Sequence, residues 1–241
     1  MLNLKYLLVV GVGMLLTACG SSDDSTLFES SDPRVPGNSM VRVVHASPDA
    51  PKVNIFAGGD ILAGLENVDY QTASGIISVP ENVYPVAVSA ITPAGNVEVL
   101  SADLVAKPGE LNTVLAVGSV AAGTLELLAL NTMPSMDNDG TTQLQIVHAA
   151  ASAPTVDIHV TAPDVTTLSS STVLATAAYK DATGLISVAS GDYRIRITPA
   201  GSDTVVYDSG PVGLASQENL LIAATVSPPP ATEKILSFFV F

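Results

Sequence analysis

The sequence has no tryptophan, a single cysteine and few basic residues, and each scarcity excludes a class of protein. One cysteine cannot form an intramolecular disulfide, so a disulfide-stapled fold and an antibody-type Cys…Trp…Cys core are excluded. Nine Lys and Arg residues stand against 23 Asp and Glu residues, a formal net charge of −14. Because no basic patch could follow a phosphate backbone, nucleic acid is not expected as a partner.

The single cysteine, Cys19, follows a segment with the features of a secretory signal. Residues 6–16 form an uninterrupted apolar run that is too short to span a bilayer as a permanent helix. The three residues before the cysteine resemble the bacterial lipobox: Leu16, Thr17 and Ala18. We therefore expect a lipoprotein signal peptide at residues 1–18 and acylation of Cys19, for example by palmitate, since two or more acyl chains give stable anchoring.

A short acidic segment separates this anchor from the rest of the chain. Residues 19–39 have no apolar periodicity, which predicts a flexible tether. In enterobacterial lipoproteins, an aspartate directly after the acylated cysteine retains the protein at the inner membrane. Gly20 occupies that place here, so the resemblance favours the outer membrane. The outer membrane is then the expected partner, through the lipid anchor. The sequence leaves open whether the protein lies on the cell-surface side or the periplasmic side of that membrane.

The chain also contains an internal repeat. His45 and His148 lie in similar phrases, VVHASPDAPKVNIF and IVHAAASAPTVDIH, 103 residues apart. Three later segments recur in the same order: 75–79 with 184–188, 91–95 with 197–201, and 111–118 with 218–225. Copies of this length indicate domains rather than solenoid repeats. The sequence predicts a first domain at 40–131, a linker at 132–141 and a second domain at 142–241.

The apolar pattern within each predicted domain has a period of two. Tyr193, Ile195 and Ile197 alternate with Arg194 and Arg196, so the tyrosine and isoleucines should face the core and the arginines should face water. Such segments recur between Gly- and Pro-rich turns, and long helical stripes are absent. The pattern predicts an all-β protein made of two tandem antiparallel β-sandwich domains, immunoglobulin-like in type.

The repeated phrases also carry a family resemblance. The segments VRVVHASPDAPKVNIF, GIISVPENVYPVAV, ITPAG and LNTVLAVG resemble the bacterial family called domain of unknown function 4397. The resemblance covers both predicted domains, and the second keeps His148, Ala149, Ala153 and Pro154 of the opening motif. The family occurs in exported and cell-surface proteins, often in tandem. It implies a fold and a location, and it brings no accepted activity or catalytic residues.

The phrase around His45 contains the residue types of a hydrolase triad. His45, Ser47 and Asp49 are each two positions apart, which on an extended segment separates them by about 6–7 Å and points them the same way. A triad instead needs the histidine between the other two side chains, beside an oxyanion hole. We expect a strand that ends at His45 and a proline-set loop capped by Asp49. A ligand contact at His45, Ser47, Asp49 or His148 is the alternative.

Two sets of residues could be considered as metal ligands. His45, His148 and His159 are histidines without a thiolate or a third ligand nearby in the sequence, which favours structural roles. Asp137 and Asp139 precede Gly140 in a calcium-loop-like stretch, but this stretch lacks the acidic residues at the first and twelfth positions of an EF-hand. No cofactor is predicted, and the two aspartates are at most a weak calcium site.

Together these patterns predict a non-enzymatic lipoprotein of the cell envelope. Its leading role is a surface-displayed binding or adhesion module for an unknown protein or matrix partner. The first alternative is a periplasm-facing scaffold lipoprotein, and the second is a hydrolase that uses loop residues near His45.

Overall fold

A computed structural model describes residues 37–135, 140–169, 172–226 and, for the backbone, 237–240. The predicted signal peptide, its lipobox and Cys19 lie outside the described residues. Within them, no helix has the length and hydropathy that crossing a bilayer requires. The described residues form β-strands joined by turns, which confirms the all-β prediction.

The first half of the chain, residues 38–132, contains nine strands. They are β1 (Asn38–His45), β2 (Val53–Ala57), β3 (Asp60–Ile61), β4 (Thr72–Ala73), β5 (Ile77–Pro80), β6 (Asn82–Thr92), β7 (Gly95–Ala106), β8 (Leu111–Val117) and β9 (Glu126–Thr132).

The second half, residues 141–240, contains eight strands in its described part. They are β10 (Thr141–His148), β11 (Val156–Thr161), β12 (Val173–Ala177), β13 (Ile186–Ala189), β14 (Gly191–Pro199), β15 (Tyr207–Leu214), β16 (Asn219–Thr225) and β17 (Ser237–Val240).

Each half folds into an outer and an inner sheet that face each other. In the first half the outer sheet has the order β3-β2-β6-β7 and the inner sheet the order β4-β1-β8-β9, with β5 also beside β1. The second half has β12-β11-β14-β15 outside and β13-β10-β16-β17 inside. Only the β1–β8 and β10–β16 pairs among the described strands are parallel. The predicted antiparallel two-sheet architecture is confirmed, while the immunoglobulin-like connectivity stays a prediction.

The two inner sheets pack against each other, which gives the molecule four layers. Val41 and Val43 of β1 face the first half's own core, whereas Val44 faces the second half. Eight buried residues from both halves form this central layer: Val44, Ala46, Leu115, Val117, Val147, Ala149, Leu221 and Ala223. Both faces of the central strands β1, β8, β10 and β16 are covered, so none of their residues is exposed. Polar side chains such as Arg42, Asn112 and Gln145 are buried along with the apolar ones.

Polar contacts also join the two halves. Arg42 is 2% exposed, and its Nη1 donates to the carbonyl of Asn219 at 3.0 Å. Burial lowers the pKa of Arg42 to about 10. The hydroxyl of Tyr70 donates to the carbonyl of Val226 at 2.5 Å, and Lys180 forms an ion pair with Glu126. The halves therefore share a core and several directional bonds.

Strand registers test the internal repeat position by position. Val41 lies opposite Ile77 in the first half, and Leu144 lies opposite Ile186 in the second. Val41 and Leu144 are 103 residues apart in the chain, and Ile77 and Ile186 are 109 residues apart, as the matched segments predict. In this early part, the matched segments therefore pair in the same strand register in both halves.

The register corrects the last two matched segments. Val88 and Ile197 lie opposite the equivalent residues Ile55 and Ile158, so the match of 91–95 with 197–201 is wrong by three residues.

Ala116 lies opposite His45 and Ala224 lies opposite His148, so β8 and β16 are 108 residues apart. The sequence match of 111–118 with 218–225 predicts 107 and is wrong by one residue. A one-residue shift exchanges the two faces of a strand. The error was possible because these strands are apolar on both faces, which leaves no alternation to mark the register.

The arginines of β14 give a second correction. Arg194 and Arg196 point away from the core as predicted, but the expectation that both face water is wrong for Arg196. Only 3% of Arg196 is exposed, and its Nη2 donates to Thr161 Oγ1 at 2.8 Å. Arg194 is one-third exposed and forms a two-pronged ion pair with Asp208, with contacts of 2.8 and 2.6 Å.

Candidate functional site

The His45 ring holds together the loop that follows β1. The strand ends at His45, as predicted. Its Nε2 lies 3.2 Å from the carbonyl of Pro51, and its Nδ1 accepts from the N–H of Ser47 at 3.4 Å. A carbonyl only accepts and an amide N–H only donates, so the ring is neutral with its proton on Nε2. Burial lowers the pKa of His45, which favours the same neutral form.

The second half repeats this arrangement. Nε2 of His148 lies 3.0 Å from the carbonyl of Pro154, and its Nδ1 accepts from the N–H of Ala150 at 3.2 Å. Both histidine rings also meet a tyrosine ring edge-on, at 6.1 Å for Tyr70 and 6.4 Å for Tyr179. The residues that recur between the two phrases are therefore those that close the loop.

The side chains of Ser47 and Asp49 lie 3.4 Å apart, Oγ to Oδ1, and their shorter hydrogen bonds go to the turn after β8 and not to the His45 ring. The Ser47 hydroxyl donates to the carbonyl of Gly118 at 2.9 Å and accepts no bond from the His45 ring. The Asp49 carboxylate accepts from Ser119 Oγ at 2.6 Å and from the N–H groups of Val120 and Ala121, each at 2.9 Å. Asp49 thus caps the turn after β8. His45, Ser47 and Asp49 are close in space, but they do not form a histidine-bridged triad.

The hydrogen bonds also determine the charge of Asp49. Desolvation raises its pKa, but the bonds from Ser119, Ala121 and Val120 outweigh that effect and leave the pKa below its ordinary value. The carboxylate is therefore ionised at neutral pH and acts as an acceptor for the turn, a structural role like that of a helix cap.

The predicted metal-ligand candidates are not brought together. Nδ1 of His159 lies 2.8 Å from Thr172 Oγ1 and its Nε2 lies 3.2 Å from Thr198 Oγ1. Across the described ranges, no group of three or more His, Cys, Asp or Glu side chains is placed to hold a metal ion. Asp137 and Asp139 lie outside the described residues.

An open groove lies on the outer sheet of the first half, on the face away from its core. Its volume is about 540 Å³, within the range of small-ligand sites. It is lined by side chains of β2, β6 and β7 and by the turn after β2: Phe56, Gly59, Pro85, Ala87, Ser89, Glu98, Ser101 and Asp103. Most of these are small, so the sheet backbone is approachable, and Phe56 supplies the one aromatic surface among the groove's lining residues.

Two carboxylates give the groove its charge. Glu98 and Asp103 are exposed, and neither makes a hydrogen bond or an ion pair through its side chain in the described part of the chain. The direct cross-strand neighbour of Asp103 is Pro85, and that of Glu98 is Ser89. The groove therefore combines a small-residue floor with two uncompensated negative charges.

A second cavity can be set aside. It lies inside the core of the first half, has a volume of about 10 Å³ and is lined by core side chains such as Val43, Leu104 and Val114. That space accepts at most one water molecule, and its apolar walls offer a water no partner. The groove is the better candidate for a ligand.

The groove was missed at the level of sequence. Small residues at alternate positions of β6, Pro85, Ala87 and Ser89, are the signal that could have indicated it. Their meaning depends on knowing that this face of the strand is turned outward and that Phe56 of β2 lies beside it.

The chain matches a known protein family. The family model described as "Domain of unknown function (DUF4397)" matches residues 39–159. The chain belongs to this family. In the structure, the match spans the nine strands of the first half and continues through β10 into β11. Comparison with curated proteins gives no match. Membership of the DUF4397 family carries no activity with it.

Proposed function

We propose that this DUF4397 protein is a non-enzymatic lipoprotein of the cell envelope that displays a binding or adhesion module to a protein or matrix partner. Two tandem copies of the family domain form the displayed part. The observation that carries the proposal is the open, acidic groove on the outer sheet of the first half. It offers a binding surface, whereas the His45 loop uses its polar groups for its own hydrogen bonds.

The N-terminal sequence supports attachment to the membrane. Cys19 follows a lipobox-like Leu-Thr-Ala and an apolar signal-like run, and Gly20 takes the place of the inner-membrane retention aspartate. Acyl chains on Cys19 would hold the β-layers outside the bilayer, with residues 20–36 as the connection.

Protease treatment of intact cells tests the display. We expect added protease to remove the β-domains from intact cells while a periplasmic marker protein survives. A Cys19→Ala variant should no longer be found with the membrane fraction, because it lacks the acylated thiol.

Two outcomes contradict the proposal. If the domains resist protease until the outer membrane is permeabilised, the protein faces the periplasm and is a scaffold of that compartment. If the Cys19→Ala variant remains in the membrane fraction, the lipid anchor is disproved.

A further inference from the structure

The second half provides an internal reference for the groove. Phe56 lies opposite Ala87 in the first half, and the equivalent pair in the second half is His159 opposite Arg196. Two residues further along the same face, the pair Asn54 and Ser89 corresponds to the pair Asp157 and Thr198. Two residues in the other direction along β6, Pro85 corresponds to Arg194 of β14. The same face of the same sheet is thus built twice, with different side chains.

In the second half this face is filled by arginine and histidine. Arg196 and His159 are 3% and 2% exposed, and Arg194 reaches across to the carboxylate of Asp208 at 2.6 Å. Thr198 Oγ1 lies 3.2 Å from Nε2 of the His159 ring, and Thr161 Oγ1 accepts from Nη2 of Arg196. The outer face of the second half is therefore occupied by the chain's own guanidinium groups beside a carboxylate.

In the first half the arginines are replaced by proline and alanine, and Ser101, opposite Ala87, takes the place of Asp208, opposite Arg196. Negative charge is present at other positions of this face. Pro85 and Ala87 leave the space that the groove occupies, and Glu98 and Asp103 line it without a basic partner in the described ranges. Leaving two carboxylates beside an open cavity gives a site that is complementary to a cation.

We propose that this groove binds an arginine side chain presented by a partner polypeptide, with the guanidinium taking the place that Arg194 and Arg196 fill in the second half. The inference rests on the proposed binding function and specifies its partner. Arginine is favoured over lysine because its planar group forms paired hydrogen bonds with carboxylates and stacks on aromatic rings such as that of Phe56.

The surroundings of the groove favour a polypeptide over a free cation. Val83 and Val105 lie opposite each other on the same outward face, next to Pro85 and Asp103, and are 50% and 48% exposed. β7 is twelve residues long and is the last strand of its sheet. An extended segment along this edge could place apolar side chains on the valines and arginine in the groove, as in other strand-edge recognition.

The test measures peptide binding to the full-length protein in detergent by isothermal titration calorimetry. The probe is the acetylated, amidated peptide Val-Arg-Val-Arg-Val. The matched peptides carry lysine, or neutral citrulline, in place of arginine. We expect the arginine peptide to bind, the lysine peptide to bind about tenfold more weakly, and the citrulline peptide to show no binding, because it lacks the charge.

Variants locate the binding. Glu98→Gln and Asp103→Asn should each weaken binding about tenfold, since each removes one of the two negative charges that line the groove. Ala87→Arg should abolish binding by filling the groove with the chain's own guanidinium, as Arg196 does in the second half. Glu81→Gln removes an exposed carboxylate that does not line the groove and should leave binding unchanged. Circular dichroism verifies that each variant is folded. If Ala87→Arg does not fold, Glu98→Gln and Asp103→Asn still test whether the peptide binds in the groove.

Four results overturn the inference: no binding of the arginine peptide at millimolar concentration, equal binding of the lysine peptide, equal binding to Glu98→Gln and Asp103→Asn, or self-association of the purified chain that Ala87→Arg removes. The last result would make a second copy of this chain the occupant. Failure of peptide binding together with successful protease removal from intact cells rejects only the arginine site. Protection from protease rejects the display without affecting the peptide measurement.

Discussion

At the scale of single residues, His45 and His148 each bond the end of a strand to the loop that follows it. Each ring uses one nitrogen as a donor and the other as an acceptor, a combination that only neutral imidazole offers. Protonation of His45 would place an N–H against the N–H of Ser47. The stability that the neutral ring provides should therefore depend on pH.

The His45→Ala variant tests this dependence. The folded state lowers the pKa of His45, mainly through burial, so the folded protein holds this proton less tightly than the unfolded chain. The stabilisation is then complete above the ordinary pKa of about 6.5 and declines as the pH falls below it. We expect a loss of about 1–3 kcal/mol at pH 7.5 and a smaller loss at pH 5.5. Urea unfolding followed by circular dichroism measures both values.

A second variant separates this effect from general acid sensitivity. Ser47→Ala, which reproduces the residue at the equivalent position 150, leaves the His45 ring in place, so its stability difference from the parent should not change with pH in this way. A gap between the parent and His45→Ala that stays constant or widens on acidification would contradict the neutral-ring assignment.

At the scale of elements, the turn after β8 shows how tightly the loops are built. Gly118 has a φ of 92°, and a Cβ at this position would lie 2.2 Å from the carbonyl oxygen of Thr124. Asp49 from the His45 loop caps the same turn. The loop after β1 and the turn after β8 therefore position each other. The turn requires a glycine at position 118, which the alternation of apolar residues along the strands does not predict.

Replacing Gly118 with alanine should be more costly than an ordinary glycine substitution. Gly123 is a matched control, because its φ is 65° but no atom lies within 4 Å of its would-be Cβ. Both changes incur about 1–2 kcal/mol for the left-handed backbone. Gly118→Ala should lose about 1–3 kcal/mol more, because of the clash. Chemical denaturation of both variants gives the difference, and equal losses would show that the turn relaxes.

The strands differ in how well the sequence pattern predicts their faces and their register. β6 and β14 have one core-facing and one outward side, so alternation predicts their faces correctly. β8 and β16 are buried on both sides, and there the predicted register was wrong by one residue. Arg196 was predicted to face water because alternation indicates which side a residue lies on but does not indicate what covers that side.

At the scale of the whole molecule, the central layer makes the two halves interdependent. Leu115 and Leu221 from different halves are fully buried in one cluster, and Arg42 and Tyr70 bond across it. A shared core of this kind predicts that the halves unfold together.

An aspartate in the central layer tests this coupling. Leu115→Asp would bury a charge without a partner between the halves, which is strongly destabilising. We expect one calorimetric transition for the parent and two separated transitions, or loss of the first half's transition, for the variant. Val83→Asp, at a site that is 50% exposed, should keep the single transition. Two transitions in the parent would contradict the shared core.

The sequence by itself determined the features that are local or periodic along the chain. Strand alternation, the turn residues, the internal repeat and the loop-forming role of the His45 phrase can all be predicted from neighbouring residues, because backbone geometry relates nearby positions in a regular way. Only the tertiary structure decided the four-layer packing, the burial of Arg196 and the groove. Those features depend on strands distant in sequence becoming neighbours, and only then does Ala87 correspond to Arg196 and leave an open, acidic space beside Phe56.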